Sequence, residues 1–230
     1  MVRNSLPVLA GVLALLAPAA PAAAADLGAL PEATAAEAAA NYDWFIHVGP
    51  AGVFFSESAK VKAGGTRVSG GIDIDPDLAL ALDIGYYVTP DISVSLTLAN
   101  PPLAAIDGDG GVVGTLGTIG KTHYLPPVLA AQYHLPAVGP VRPYIGAGVN
   151  YTMFFNEKDG ALTNFKVDNA FGAVLQAGAE VMLSDRLGMF VDVKHIWLST
   201  EATGRLGPTP VKADVTLDPT VVTAGLAYRF

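Results

Sequence analysis

Large apolar side chains occupy every second position in segment after segment of this chain, and that period of two confines it to β-structure. Leu78, Leu80, Leu82, Ile84, Tyr86 and Val88 alternate with Ala79, Ala81, Asp83, Gly85 and Tyr87. After Thr89-Pro90-Asp91, Ile92, Val94, Leu96 and Leu98 alternate with Ser93, Ser95 and Thr97, which makes a tight hairpin. The rhythm continues through Leu129, Ala131, Tyr133 and Leu135 and, past the turn at Pro136 to Val141, through Ile145, Ala147, Val149, Tyr151 and Met153. A further pair runs from Phe171 to Leu183 and, across Ser184-Asp185-Arg186, through Met189, Val191 and Val193. The last segment carries Val222, Ala224, Leu226, Tyr228 and Phe230 on one face and Thr223, Gly225, Ala227 and Arg229 on the other. A first strand from Trp44 to Phe55, whose phase Gly49, Pro50 and Gly52 leave open, brings the number to eight.

Eight is even, as a closed single-chain bacterial barrel requires. A strand of about 11 residues, at roughly 3.3 Å per residue and a tilt of about 45°, covers about 26 Å, the height of an outer-membrane apolar band. Short turns near Pro90, Ala137 and Asp185 alternate with long connections at 56–77, 100–122, 156–169 and 199–218. A soluble sandwich or lipocalin-like barrel would need charges on its second face, whereas here that face is mainly Gly, Ala, Ser and Thr, as a narrow lumen requires. The expected fold is therefore all-β: an eight-stranded antiparallel transmembrane β-barrel of the outer-membrane type, with short periplasmic turns and long extracellular loops.

The start of the chain fits export. Arg3 precedes an apolar run from Leu6 to Ala17, too short for a helical span, and Ala23-Ala24-Ala25 offers a cleavage site. Residues 1–25 are predicted to be a signal peptide, 26–41 a flexible periplasmic segment and 42–230 the barrel. The chain has no cysteine, so closure must come from hydrogen bonding rather than disulfides. Losing Arg3 with the leader takes the formal net charge from −8 to −9, which disfavours nucleic acid as a partner.

The alternating C-terminal residues Val222, Ala224, Leu226, Tyr228 and Phe230 resemble the signature read by the outer-membrane assembly machinery. The run Arg142-Pro143-Tyr144-Ile145-Gly146-Ala147-Gly148-Val149-Asn150-Tyr151-Thr152, with Phe154-Phe155 beyond it, resembles the fifth strand of the OmpW family. Leu125-Pro126-Pro127, Gln176-Ala177-Gly178, Leu217-Asp218-Pro219 and Tyr228-Arg229-Phe230 match the same family in the same order. The resemblance spans roughly residues 42–230 and implies a narrow, apolar channel that takes up small hydrophobic molecules. Lys194 departs from it, since an aromatic residue would suit an apolar lumen there.

Parity places Asp83, Glu180, Asp192, Lys194, Arg229, Gln132 and Gln176 on the lumen side, where facing charges must pair, and predicts a polar plug in the periplasmic half. Phe154 and Phe190 are the candidate apolar lumen residues. Pro101-Pro102 ends the third strand and Pro126-Pro127 opens the fourth, so the ladder between them is expected to fray into a lateral seam. Trp44, Tyr86, Tyr87, Phe155 and other aromatics near strand ends read as interface anchors, and His47, His123, His134 and His195 as barrel-wall or interface positions. The histidines lack metal-ligand spacing, no catalytic set is apparent, and the acidic stretches at Asp73–Asp77 and Asp107–Gly110 lack the Glu of a calcium loop.

Neither enzyme activity nor a cofactor or metal is expected. The expected function is passive uptake of small hydrophobic molecules, the alternative being a closed surface-interaction barrel that serves as an adhesin or a phage or colicin receptor. The second long connection, with Leu103, Ala104, Ala105, Ile106, Val112, Val113, Leu116 and Ile119, suits an apolar funnel. The expected partners are outer-membrane lipid and lipopolysaccharide, hydrophobic solutes and the assembly machinery, around a monomer.

Overall fold

A computed structural model describes residues 43–230. The expected leader and N-terminal segment lie outside the described residues. Eight antiparallel strands close into a ring: β1 (Trp44–Phe54), β5 (Asp77–Thr89), β6 (Ile92–Ala99), β9 (Val128–His134), β10 (Val141–Asp159), β12 (Ala170–Met182), β13 (Leu187–Leu206) and β15 (Thr220–Arg229). Each pairs with the next, and β15 returns to β1, with Phe45 opposite Arg229 and Phe54 opposite Thr220.

Alternation sorts the two faces. In β5, Leu78, Leu80, Tyr86 and Val88 are exposed on the outside, while Ala79, Ala81, Asp83 and Tyr87 are buried inside. The first strand, unreadable in phase, turns Phe45, His47, Ala51 and Val53 inward. Its ladder with β15 passes over Gly49 and Pro50, because Pro has no N–H to give. Aromatics flank the belt: Trp44 packs on Tyr86 at the short-turn end, and Tyr151 on Phe171 at the other.

The long connections are themselves built largely of strands. β10 and β13 run 19 and 20 residues, far beyond the ring, and carry a second tier. On β13 stand β11 (Thr163–Val167), β14 (Thr209–Thr216), then β2 (Ser58–Ala63) and β3 (Thr66–Arg67). On β10 stand β8 (Thr118–Leu125), β7 (Leu103–Asp109) and β4 (Gly71–Ile74). Val61, Ile74, Ile106, Ala213 and Val215 all face inward, so burying these alternate apolar residues gives the collar its own core. A 3-10 turn, Val113–Leu116, tucks Val113 into its top.

Candidate functional site

The collar encloses an apolar chamber with a cavity volume of about 100 Å³. Val53, Val61, Ile74, Ile106, Phe165 and Val215 are among its lining, with Pro126 and Phe154. Its few hydroxyl groups are turned to protein acceptors. Tyr124 donates to Asp77 Oδ2 (3.0 Å), Thr152 to Asn150 Oδ1 (2.7 Å), Thr122 to the carbonyl of Phe155 (3.3 Å) and Thr200 to that of Asp168 (2.5 Å). Burial, and then the neighbouring Asp77 carboxylate, raise the Tyr124 phenol above its usual pKa, so it stays a neutral donor. What the chamber presents to a solute is hydrocarbon. Of the second-connection residues, Ala104, Ile106, Val113, Leu116 and Ile119 line it, while Leu103 and Val112 are exposed.

Below Val174, Ile196 and Val221 the lumen changes character. Lys194, opposite Gln176 in the β12–β13 ladder, reaches Asp192 Oδ1 at 2.5 Å, and Tyr144 donates to Asp192 Oδ2 at 2.8 Å. Asp83 accepts from Thr97 (3.1 Å) and lies 4.0 Å from His47 Nδ1. Glu180 is held twice, by His47 Nε2 at 2.8 Å and by the Arg229 guanidinium. A carboxylate only accepts, so Nε2 of His47 is the donor in this bond. Gln132 bridges Ser93 and Ser95, each at 3.0 Å, and Ser93 also meets His134 at 2.9 Å. Arg142 bonds the Pro90 carbonyl, and with Arg229 it brackets the Tyr87 ring at 5.6 and 5.7 Å. Of the buried charges, Asp192 pairs with Lys194 and Glu180 with Arg229, while Arg142 turns to Asp91 at 3.5 Å.

Phe190 was expected to line an apolar lumen but lies in this polar layer, stacked on His47 at 4.4 Å and 14°. Phe154 alone of that pair reaches the chamber. Three wall-or-anchor assignments also need correcting: His47, His134 and Tyr87 are buried in the lumen, because an inward parity overrides their nearness to a strand end. Gln176 is buried with neither amide atom hydrogen-bonded among the described residues. Arg142, Tyr144 and His47, missed as site residues, were partly findable. Arg142 and Tyr144 share the parity of Gly146 and Gly148, whereas His47 had no readable phase.

Two strands break at the prolines. β6 stops at Ala99 and resumes past Pro101-Pro102 as β7, and β8 stops at Leu125 and resumes past Pro126-Pro127 as β9. β9 pairs with β6 and β10, and β8 with their continuations β7 and β10, so the neighbours stay the same and the ladder is interrupted between the Thr97–Val128 and Leu103–His123 pairs. The Pro102 carbonyl accepts from Tyr124 N (3.3 Å), and the Pro127 carbonyl from Asn150 Nδ2 (3.0 Å) and Tyr151 N (3.1 Å), so the break is satisfied internally. Val222, Ala224, Leu226, Tyr228 and Phe230 lie along β15 and just past its end, where Leu226, Tyr228 and Phe230 are exposed on the outer face. Among the described residues no cluster of His, Asp or Glu is arranged to hold a metal ion.

An eight-stranded ring with an apolar outer belt, aromatic borders and a lumen of paired charges defines a membrane-spanning β-barrel. A family model described as "OmpW family" matches residues 40–230, and the chain belongs to that family. It is 39% identical over 188 residues to the dibenzothiophene metabolism operon protein PahQ of Pseudomonas aeruginosa, covering 81% of this chain and 88% of the relative. The crystal structure of outer membrane protein OprG from Pseudomonas aeruginosa superposes with a TM-score of 0.76 at 28% identity, covering 82% of this chain and 96% of that one. The solid-state NMR structure of outer membrane protein AlkL in lipid bilayers gives 0.68 at 28% identity, covering 94% and 97%. The protein is thus a non-enzymatic barrel of the outer membrane, its short turns periplasmic and its collar extracellular.

Proposed function

We propose that the barrel passes small hydrophobic molecules from the cell exterior into the outer membrane, using the collar chamber as the receiving site. One observation carries this reading: a chamber walled by hydrocarbon sits directly above a layer of buried, paired charges. An apolar solute gains by leaving water for the chamber, at about 25 cal/mol per Å² of apolar surface removed from water. It gains little by going on down, because the rings of the charged layer, such as Phe190, are already packed and its ion pairs would have to be broken to let the solute through.

The remaining exit is sideways. Pro126 lines the chamber and belongs to the proline pair at which β8 gives way to β9, so the chamber wall is thinnest in ladder bonds there. Residues 101, 102, 126 and 127 would border that lateral seam. A relative of this chain is named for a dibenzothiophene metabolism operon, which favours fused aromatic molecules of that kind as the solute class. The test is uptake of a hydrophobic fluorescent tracer into cells or liposomes with and without the protein. Faster entry only with the protein supports the reading. Equal entry would return the chain to the alternative of a closed surface-interaction barrel.

A further inference from the structure

The outer face of the collar carries charge that solute passage does not use. Lys62 of β2 and Lys212 of β14 are direct cross-strand partners, and so are Lys121 of β8 and Lys158 of β10. Like charges directly opposite destabilise a ladder. The first pair is extended by Arg67, opposite Lys62, and by Lys166, opposite Thr203, which itself faces Lys212. That row crosses five strands, about 19 Å at roughly 4.8 Å per strand. All six cations are exposed, and the neighbours of alternate parity, such as Val61 and Ala213, line the chamber, so the cations point outward.

Carboxylates on this face offset Lys62 and Lys212 but leave the other four cations without an ion pair among the described residues. Asp214 lies 3.9 Å from Lys62 and Glu201 bonds Lys212, with Asp168 beyond. Lys121, Lys158, Lys166 and Arg67 are in no ion pair among the described residues. This concentration of positive charge stands on a chain of net charge −8.

Height identifies the partner. The row crosses β13 at Thr203, six residues past the exposed Trp197, and Lys158 stands seven residues past Tyr151 on β10. Six residues of tilted strand rise about 14 Å above the aromatic border, level with a large headgroup rather than acyl chains. The two lysine pairs sit on different flanks of the collar at that one level. A globular partner would meet one flank, whereas the surrounding leaflet meets both. We propose that these two lysine pairs, with Arg67 and Lys166, bind the phosphate groups of lipopolysaccharide around the barrel.

The experiment uses full-length protein extracted from membranes, purified lipopolysaccharide and its enzymatically dephosphorylated form. Two double variants are made, Lys62→Gln with Lys212→Gln and Lys121→Gln with Lys158→Gln, and heat-modifiable gel migration shows that they are folded. Each double variant should bind intact lipopolysaccharide about thirtyfold more weakly than the parent chain, in keeping with the loss of two lysines at an anionic surface. The parent should bind the dephosphorylated lipid more weakly still, since all six cations then lose their phosphates. Undiminished binding by both folded variants, or equal binding of the dephosphorylated lipid, overturns the proposal. So does complete displacement of the lipid by an equal concentration of inorganic phosphate. None of these lysines lines the chamber, so tracer uptake by the variants should match the parent, and failure here is separable from failure of the transport reading.

Discussion

Arg229, one residue before the terminal Phe230, donates its guanidinium to Glu180 across the lumen, and both side chains are fully buried. His47 holds the other oxygen of the same carboxylate, so a single acid ties β1, β12 and β15 together. Arg229→Ala leaves that carboxylate with half its partners and should destabilise the folded barrel by about 3–5 kcal/mol. Urea titration of the barrel in lipid checks the value. Pairing the change with Glu180→Leu should recover much of the loss, since no unpaired charge then remains buried.

Lys194→Ala should expose the same logic one layer higher. Asp192 would keep Tyr144 but lose its cation, so the barrel should lose stability and single-channel recordings should show a raised ion conductance. A variant as stable and as silent as the parent would remove the case for a charged seal.

Phe45 lies flat over Gly85, its direct partner across the β1–β5 ladder, and Tyr144 covers Gly178 in the same way. A side chain at either glycine would occupy the volume of the ring. Gly85→Val should cost about 1–3 kcal/mol through overpacking, and Phe45→Ala in the same chain should restore part of it. Thermal unfolding of the single and double variants makes the comparison.

Replacing Pro126 and Pro127 with valine supplies two missing N–H groups at the break between β8 and β9. The expected outcome is closer pairing there, slower tracer uptake and unchanged assembly. Unchanged uptake in a folded double variant would rule out the sideways route and leave the chamber without its proposed exit.

The sequence carried the ring almost whole, because lipid outside and a narrow lumen inside impose opposite demands on alternate residues. Leu78 to Val88 obey them so strictly that strand, face and span follow from reading alone. The collar was harder to see. Its strands are short, and β11 and β8 contain register shifts that interrupt the period, so only Leu103 to Ile119 hinted at an apolar enclosure. Among lumen residues, charged ones at clear parity such as Asp83 and Asp192 were legible. His47 was not, because Gly49 and Pro50 erase the phase of β1, and Phe190 misled because an aromatic ring serves a charged layer as well as a greasy one.

The ladder that closes the ring joins Phe45 to Arg229, from opposite ends of the described chain. In kinetic terms the β1–β15 ladder is the least local strand pairing of the ring, and non-local pairing is what slows folding. Until β15 arrives, β1 is a bare edge with unsatisfied backbone groups, a template for aggregation. The Glu180 linkage therefore cannot form early and steer the rest, since it needs the first and last strands at once. A chain truncated before β15 would be an open sheet and not a smaller barrel, which makes completion of the chain, rather than accumulation of strands, the event that commits it to the membrane.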